Sequence, residues 1–559
     1  MLDFLQRWSD GERWQTSFVT IILIGTCVPC VPSFVEDVIY PKCVIYVLCV
    51  SIALFIMLCS RQELRFSSSF PVNTILMLLI VGALCNIERK ITVATLFANI
   101  ILFIVLCNVK LKNNYVCQGV IVIAITILTL CLMQWIGYLR LYTSWDVTAS
   151  FDNPSGVSVF LSLCFPFLLD EFERSEKVYL LLCLTLIVFA IVMLHARGGL
   201  VAIFVSLVFF LHFRKNISKF EWTIIFASFI VMFIGLCWLK SDSTQGRLFI
   251  YIIASKLLMS APLCGLANWG YELNAMAVQT NFFIENPNSL YGKFASDMMH
   301  PLSDVLYFVV DYGGLGLGML LMITYQLLRN FDRKHFVYYN CILAFVVHSF
   351  ISYPLRYPST WFFVILCLSQ IFGTKKRCTK LSYNIRWLLG VLCVCCLYIV
   401  TRDCEFERKW YLLFQDRQMH LNAYIDMEKM WNGNPMFFYD YARVLRSNGQ
   451  YVRSNEMLGK YQKYLKDYSS YMMMADNFYS MGNYDEAMKS YIYCSHMCPA
   501  RFLPLRGMLR SYQRMGEIEK SKIIANKILK KNIKVQSIEV ELIRYEAIKC
   551  LKKRKEMSL

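Results

Sequence analysis

The chain is short of charge. Only 17% of its 559 residues are Asp, Glu, Lys or Arg, and 57% are hydrophobic, whereas a soluble chain carries about 25% charged residues. The shortage excludes a single water-soluble globule. It holds up to about Thr401, after which the sequence turns polar and charged. A membrane region is therefore followed by a soluble one. Histidines are few and unclustered, and there is no pair of CxxC motifs at zinc spacing, so no structural zinc ligand set is present. The lone CxxC, Cys27 to Cys30, ends an apolar run with nothing beside it to suggest redox work. Most of the 23 cysteines are scattered through apolar runs such as "LLGVLCVCCLYIV", as small lipid-facing or helix-packing residues are. Cys494 and Cys498 stand four apart on a predicted helix, a spacing that does not favour a disulfide. No A-x-A-like site follows the first apolar run, and the basic residues of "MLDFLQRWSDGERW" are mixed with acids. The sequence reads as an uncleaved first span.

Positive charge is not in short supply: the net charge is +18. Nucleic acid is not the implied partner. The basic residues sit in short loops between apolar runs, where they orient a membrane protein, and in C-terminal stretches such as "KILKKNIKV" and "CLKKRKEMSL". Those read as a solvated face or a membrane-surface contact.

Apolar runs of roughly 17–25 residues cross a bilayer. They occur near 16–35, 42–60, 71–87, 91–109, 115–138, 154–170, 177–195, 197–213, 221–240, 303–328, 335–353, 358–374 and 386–401. The expected fold class is all-α: a polytopic membrane bundle of about 12–13 spans over residues 1–401, followed by a soluble solenoid. The loops "RQELR", "KLK", "ERSEK", "FRKNISK", "RNFDRK" and "TKKRCTK" are basic and alternate with loops poor in Lys and Arg. The basic set is then cytoplasmic. Outside lie the loops near 140–154 and 195–197, the long loop 241–302 and, by span parity, the C-terminal region. Many transporters carry broken helices in paired halves; the sequence shows no internal duplication of that kind.

After a linker at 402–434, three segments recur over 435–531: "LRSNGQYVRSNEML", "FYSMGNYDEAMKSY" and "YQRMGEIEKSKIIA". Their glycines, Gly449, Gly482 and Gly516, are spaced by 33 and 34 residues, the tetratricopeptide period. A small residue follows in each second helix: Ser454, Ala487 and Ser521. Such solenoids offer a concave face to a protein or an extended chain; the alternative is a structural cap on the membrane region. A basic helix or tail, 532–559, completes the chain.

Four outer features carry candidate chemistry. Asn153-Pro154 opens a span, Arg197-Gly198 stands at the mouth of a helical hairpin, and Arg247 heads the amphipathic stretch "QGRLFIYIIASKLLMSAPLCGLANWGYELN". His300 precedes "PLSDVLYFVVDYGGLGLG". Their order and spacing, with Pro262-Leu263-Cys264-Gly265 and Leu306…Asp311-Tyr312-Gly313…Gly316, resemble the O-antigen ligase and polymerase superfamily over about 150–330. The resemblance implies a multi-span enzyme of the bacterial inner membrane with a periplasmic active site. Such enzymes move a glycan from an undecaprenyl-diphosphate carrier to an acceptor hydroxyl, without metal or other cofactor. The acceptor would be lipid A-core, another glycan or a protein, and membrane lipids would surround the site. It also implies Arg197 and Arg247 as diphosphate-binding and catalytic residues and His300 as catalytic base or orienting group, with Asp304 the alternative. This chain departs from the family where His-Asn-acid usually stands. Aligned on Leu306, Leu302 falls at the histidine position and Ser303 and Asp304 at the next two. The non-enzymatic alternative is a membrane scaffold or transporter with the repeats as a docking surface.

Overall fold

The structure is a computed structural model. It describes residues 14–59, 65–67, 70–86, 88–109, 111–140, 145–215, 217–239, 241–267, 269–373, 378–380, 382–415 and 421–552. The chain start, most of "RQELR" and "TKKRCTK", and the end of the basic tail lie outside the described residues.

The described chain is almost wholly helical. The exception is a two-stranded antiparallel ladder, Arg65–Ser67 against Cys378–Lys380, which joins two of the basic loops. Each apolar run forms a helix. Among the described residues, seven are long and apolar enough to cross a membrane: Ile39–Cys59, Lys90–Asn108, Asn113–Trp135, Pro154–Ser175, Arg197–Arg214, Asp304–Arg329 and Tyr383–Gln415. The expected 12–13 spans therefore resolve into seven long apolar helices and a set of shorter ones. Shorter apolar helices lie at Ser17–Cys27, Pro71–Leu84, Val178–Met193 and Pro358–Phe372. Proline sets some of these limits: Pro29 and Pro32 follow the first, and Pro358 opens the last at its first turn.

Among the described residues, the loop contacts fall into two groups. Arg174 donates to Asn114 at 3.0 Å, Arg214 to Asp170 at 3.2 Å, and Tyr338 to Asn113 at 2.9 Å. These belong to the basic-loop group. Glu36, Arg89, Asp152, Arg247 and Arg356 belong to the other, as described below.

The chain after the last span joins this second group. The Tyr383–Gln415 helix runs without a break past the end of the apolar run, and Leu421–Glu428 is also helical. Most of the stretch 402–434 is thus not an extended linker: Asp403, Phe406, Glu407 and Trp410 are buried along it. Antiparallel helix pairs follow: Met436–Ser447 with Tyr451–Tyr461, Tyr468–Ser480 with Tyr484–Met497, and Leu503–Arg514 with Ile518–Lys530. Ile538–Lys552 packs last. Gly449, Gly482 and Gly516 turn each pair at φ of 73°, 79° and 77°. Open space surrounds all three, so the left-handed turn demands glycine and packing does not.

The 241–302 loop has its own helices, Ser241–Ser260 and Gly270–Glu285. Phe249, Ile253, Ala254 and Leu257 are buried on the first, and Lys256 is exposed. They share one apolar core with Tyr468, Met488, Tyr491, Met497 and Leu505 of the helix pairs. Tyr271 is fully buried within that core.

The segment after Ser260 explains two of the sequence motifs together. The Asp304–Arg329 helix is broken at Gly313, which sits at φ 61°, ψ −149°. The Pro262–Ala267 turn plugs the break. Leu266 and Ala267 donate to the Val310 and Asp311 carbonyls at 3.1 and 2.9 Å, and Gly314 and Leu315 donate to the Pro262 and Leu263 carbonyls at 2.8 and 3.1 Å. The backbone groups freed by a break in an apolar helix must be satisfied by protein, and this turn does so. A Cβ on Gly265 would lie 2.3 Å from the Asp311 oxygen, and one on Gly313 would lie 2.5 Å from the Gly265 nitrogen. "PLCG" and "DYGG" are two halves of one joint.

Candidate functional site

The C-terminal end of the Phe336–Ile351 helix and the segment after it, Ser352 to Tyr357, organise the candidate residues. Arg247 donates to the Ile351 carbonyl at 2.5 Å, where a cation is favoured by the helix dipole. Arg247 stands in the second turn of Ser241–Ser260, not at its head as the sequence suggested, because the helix begins at Ser241. Arg197 opens its own helix and reaches the first turn of the same one, donating to Thr244 at 2.8 Å and Ser243 at 2.9 Å. Thr244 and Arg247 are three residues apart on one helix face, so both arginines engage the N-terminal part of the same helix.

Asp304 is held from two directions. Its backbone N–H donates to the Ser352 carbonyl at 3.0 Å, and its Oδ2 accepts the Leu355 N–H at 2.8 Å. Its Oδ1 lies 3.5 Å from His300 Nε2. The Leu302 N–H donates to His300 Nδ1 at 3.0 Å, which fixes the proton of a neutral ring on Nε2, facing Asp304. Tyr307 stacks on the imidazole at 5.1 Å and Tyr353 meets it edge-on at 5.2 Å. The Tyr307 hydroxyl is tied to Glu272 at 2.9 Å.

Asn153 caps its helix by accepting the Gly156 N–H at 3.1 Å, with Pro154 as first helical residue, a standard helix start. Its amide also donates to Asp152 at 2.9 Å, Tyr357 at 3.0 Å and Tyr353 at 3.3 Å. Gly199, beside the Arg197-Gly198 pair, is a packing glycine: a Cβ there would lie 2.0 Å from Ser158 Oγ.

Residues that the motif reading passed over complete the face. Arg356 pairs with Asp152 at 3.3 Å and Glu36 at 3.7 Å. Burial works against its charge, but the two carboxylates and the neighbouring tyrosines outweigh that and raise its pKa. Burial likewise pushes the Tyr353 phenol upward. Arg89 stacks over Trp269 at 3.0 Å. Arg356 was legible by the rule that marked Arg197: it is an arginine in a loop on the side poor in Lys and Arg, set between two prolines.

Backbone strain gathers on this face. Ala149, His195, Ala267, Trp269 and Leu302 all hold left-handed φ between 49° and 64°. Each lies within a few residues of a candidate side chain, and strained non-glycine residues cluster at functional sites. Among the described residues, no group of three or more His, Cys, Asp or Glu is arranged to hold a metal. Chemically, the face offers fixed guanidinium donors beside a carboxylate–imidazole pair, an arrangement suited to binding an anion and moving one proton.

No family model matches this chain, and no curated protein matches it.

Proposed function

We propose that this protein transfers a glycan from an undecaprenyl-diphosphate carrier to an acceptor hydroxyl at the outer face of the bacterial inner membrane, as an O-antigen ligase-like enzyme. The observation that carries the reading is one hydrogen-bonded chain that links Arg197, through the first turn of Ser241–Ser260, to Arg247, the Ile351–Leu355 segment, Asp304 and His300. Arginine binds phosphate bidentately and stays charged. In this reading Arg197 and Arg247 hold the diphosphate and stabilise its charge as it leaves.

The acceptor oxygen attacks the anomeric carbon, the bond from that carbon to the diphosphate oxygen breaks, and the electron pair departs with the diphosphate. The acceptor proton passes to a base. Both His300 ring nitrogens are engaged, with Leu302 and toward Asp304, which favours Asp304 as proton acceptor and His300 as the group that orients it. The helix pairs, read as tetratricopeptide-like repeats, stand on the same side and would hold a glycan or protein acceptor or a protein partner. Ligase, polymerase and protein O-oligosaccharyltransferase are the three forms of the reaction.

The test is reconstitution in lipid vesicles with an undecaprenyl-diphosphate glycan and an acceptor. Released undecaprenyl diphosphate and a new glycoconjugate are expected. Arg247→Ala and Arg197→Ala should each reduce transfer by about 10²–10³-fold, the scale of a lost transition-state charge contact, with membrane insertion intact. Full activity in both variants would remove the diphosphate clamp. Glycan movement without a new glycosidic bond would favour a transporter or scaffold. Gel analysis of surface glycans in a deletion strain separates the acceptors: unattached core marks a ligase, core with one repeat a polymerase, and unglycosylated periplasmic proteins the third form.

A further inference from the structure

Asp403 and Glu407 lie one turn apart on the Tyr383–Gln415 helix, and each is 1% exposed. Tyr40 donates its phenol to Asp403 Oδ2 at 3.0 Å, with Cys404 Sγ 3.7 Å from the same hydroxyl. Asn432 and Asn434 each approach Glu407 Oε1 at 3.4 Å, the outer limit of a hydrogen bond. The remaining oxygens, Asp403 Oδ1 and Glu407 Oε2, are buried and have no hydrogen-bond partner. Among the described residues, neither carboxyl group forms an ion pair with Lys, Arg or His. Lys90 is near enough to favour the Asp403 charge, but its ammonium donates to the Trp431 carbonyl at 3.1 Å. Glu36 adds further negative charge nearby.

Two buried carboxylates, each with an unsatisfied oxygen and no ion-paired base among the described residues, are costly to bury unless a proton or a cation neutralises them. The free donors are hard oxygens, which suit calcium or magnesium rather than zinc or copper. Two carboxylates fall short of a closed cage, but these ions complete their shells with water and neutral oxygens.

The place is a structural joint. Between Asn432 and Asn434, Gly433 adopts φ 98°, and a Cβ there would lie 1.6 Å from the Glu88 carbonyl oxygen. The turn is thus wedged between the loop before Lys90–Asn108 and the acid-bearing face of Tyr383–Gln415. We propose that Asp403 and Glu407 bind a hard divalent cation of the calcium or magnesium class, which fastens the helix pairs to the bundle. This goes beyond the transferase reading and does not depend on it.

The test uses full-length protein in detergent, stripped with EDTA at about pH 8. Terbium, which takes calcium-type oxygen sites, should bind one ion per chain with luminescence sensitised by Tyr40, and CaCl2 should displace it. The melting temperature of stripped protein should rise with CaCl2. In the Asp403→Asn/Glu407→Gln double variant, both responses should vanish. Stripped wild-type protein indifferent to terbium and CaCl2 would overturn the proposal and leave a retained proton as the neutralising species. Responses that persist in the double variant would also overturn it, by placing the ion elsewhere.

Discussion

The Lys219–Leu239 helix of the bundle and the Leu503–Arg514 helix of the C-terminal region turn opposite surfaces outward. On the first, Phe220, Val231 and Trp238 are 73%, 71% and 82% exposed. On the second, Leu505, Met508 and Leu509 are buried, and Arg506 and Arg510 reach Glu546 at 2.5 and 2.8 Å. A helix that is apolar all round suits a lipid surrounding, whereas the second helix divides its faces as water requires. The interior of the bundle is specified by sparse polar contacts, among them Tyr46 to Asn99 at 2.6 Å and Ser162 to His348 at 2.6 Å. The helix pairs are specified by periodicity.

The 241–302 loop tests where one regime ends. It is joined in sequence to the bundle but shares its core with the helix pairs. Gln279 donates to the Met497 carbonyl at 2.8 Å, and Asp297 accepts the Tyr468 N–H at 2.7 Å. Removing residues after 420 should therefore have the largest effect. Burying a large apolar side chain contributes about 1.5–3 kcal/mol. Uncovering even two of Phe249, Tyr271, Met276 and Phe283 should raise protease cleavage within the loop about a hundredfold. Limited proteolysis of truncated and full-length protein, both inserted in membranes, measures this. Equal cleavage rates would assign the loop to the bundle instead.

The legibility of the fold follows the same division. Helix positions in the bundle were visible because long apolar runs are the membrane signal. Which faces pack was not, because an all-round apolar helix carries no phase. The glycine spacing of 33 and 34 residues located the turns of the helix pairs at Gly449, Gly482 and Gly516. The candidate residues Arg197, Arg247, His300 and Asp304 were legible one by one. Their common anchor, the segment Ile351 to Leu355, was not, because it contributes mainly backbone groups. Hydrogen bonds made by a main chain leave no residue signature. The helical course of most of 402–434 was missed because polar composition in the sequence resembles a linker, while the partners of its buried polar groups, such as Tyr40 for Asp403 and Asp440 for Trp410, lie outside the stretch.

The joint between broken helix and turn gives the next largest effect, on the bundle side. In Gly265→Ala the new Cβ meets the Asp311 oxygen at 2.3 Å from a backbone at φ 71°. Backbone strain and overpacking should together cost about 2–4 kcal/mol. Gly318→Ala, on the same Asp304–Arg329 helix with open space around it, should be neutral or gain up to about 1 kcal/mol. Thermal unfolding of the two variants in one detergent compares them directly. Equal melting temperatures would mean that the plug does not hold the break.

A smaller effect is expected within the helix pairs. Gly507 packs under the Tyr491 ring, and an added Cβ would lie 2.4 Å from it. Gly507→Ala should cost about 1–3 kcal/mol. Gly449→Ala, in open space but at φ 73°, should cost less, about 1–2 kcal/mol from the backbone alone. Reversal of that order in thermal melts would show that the turns, rather than the interlocked faces, limit the stability of this region.

The smallest effect probes whether the helix-pair region obeys ordinary aqueous proton linkage. Lys531 donates to the Arg501 carbonyl at 2.6 Å, and its ammonium lies 4.9 Å from the centre of the Phe502 ring. Burial pushes its pKa down to about 8. The unfolded lysine titrates near 10.4, so between about pH 8 and 10.4 the unfolded chain holds more protons than the folded one. Stability from this group therefore rises with pH across that window and is lowest below it. Lys531→Met keeps the apolar stem and removes the half-buried charge. The depressed pKa is equivalent to roughly 3 kcal/mol at about 1.36 per unit. The lost carbonyl bond and ring contact return about 1 kcal/mol each, which leaves a net gain of about 1 kcal/mol at pH 7. Melting temperatures of the two proteins, taken from about pH 7 to 10, should converge and then cross as the wild-type lysine loses its proton. A difference that stays constant with pH would mean that the Lys531 ammonium is solvated, and that this end of the chain is looser than its packing implies.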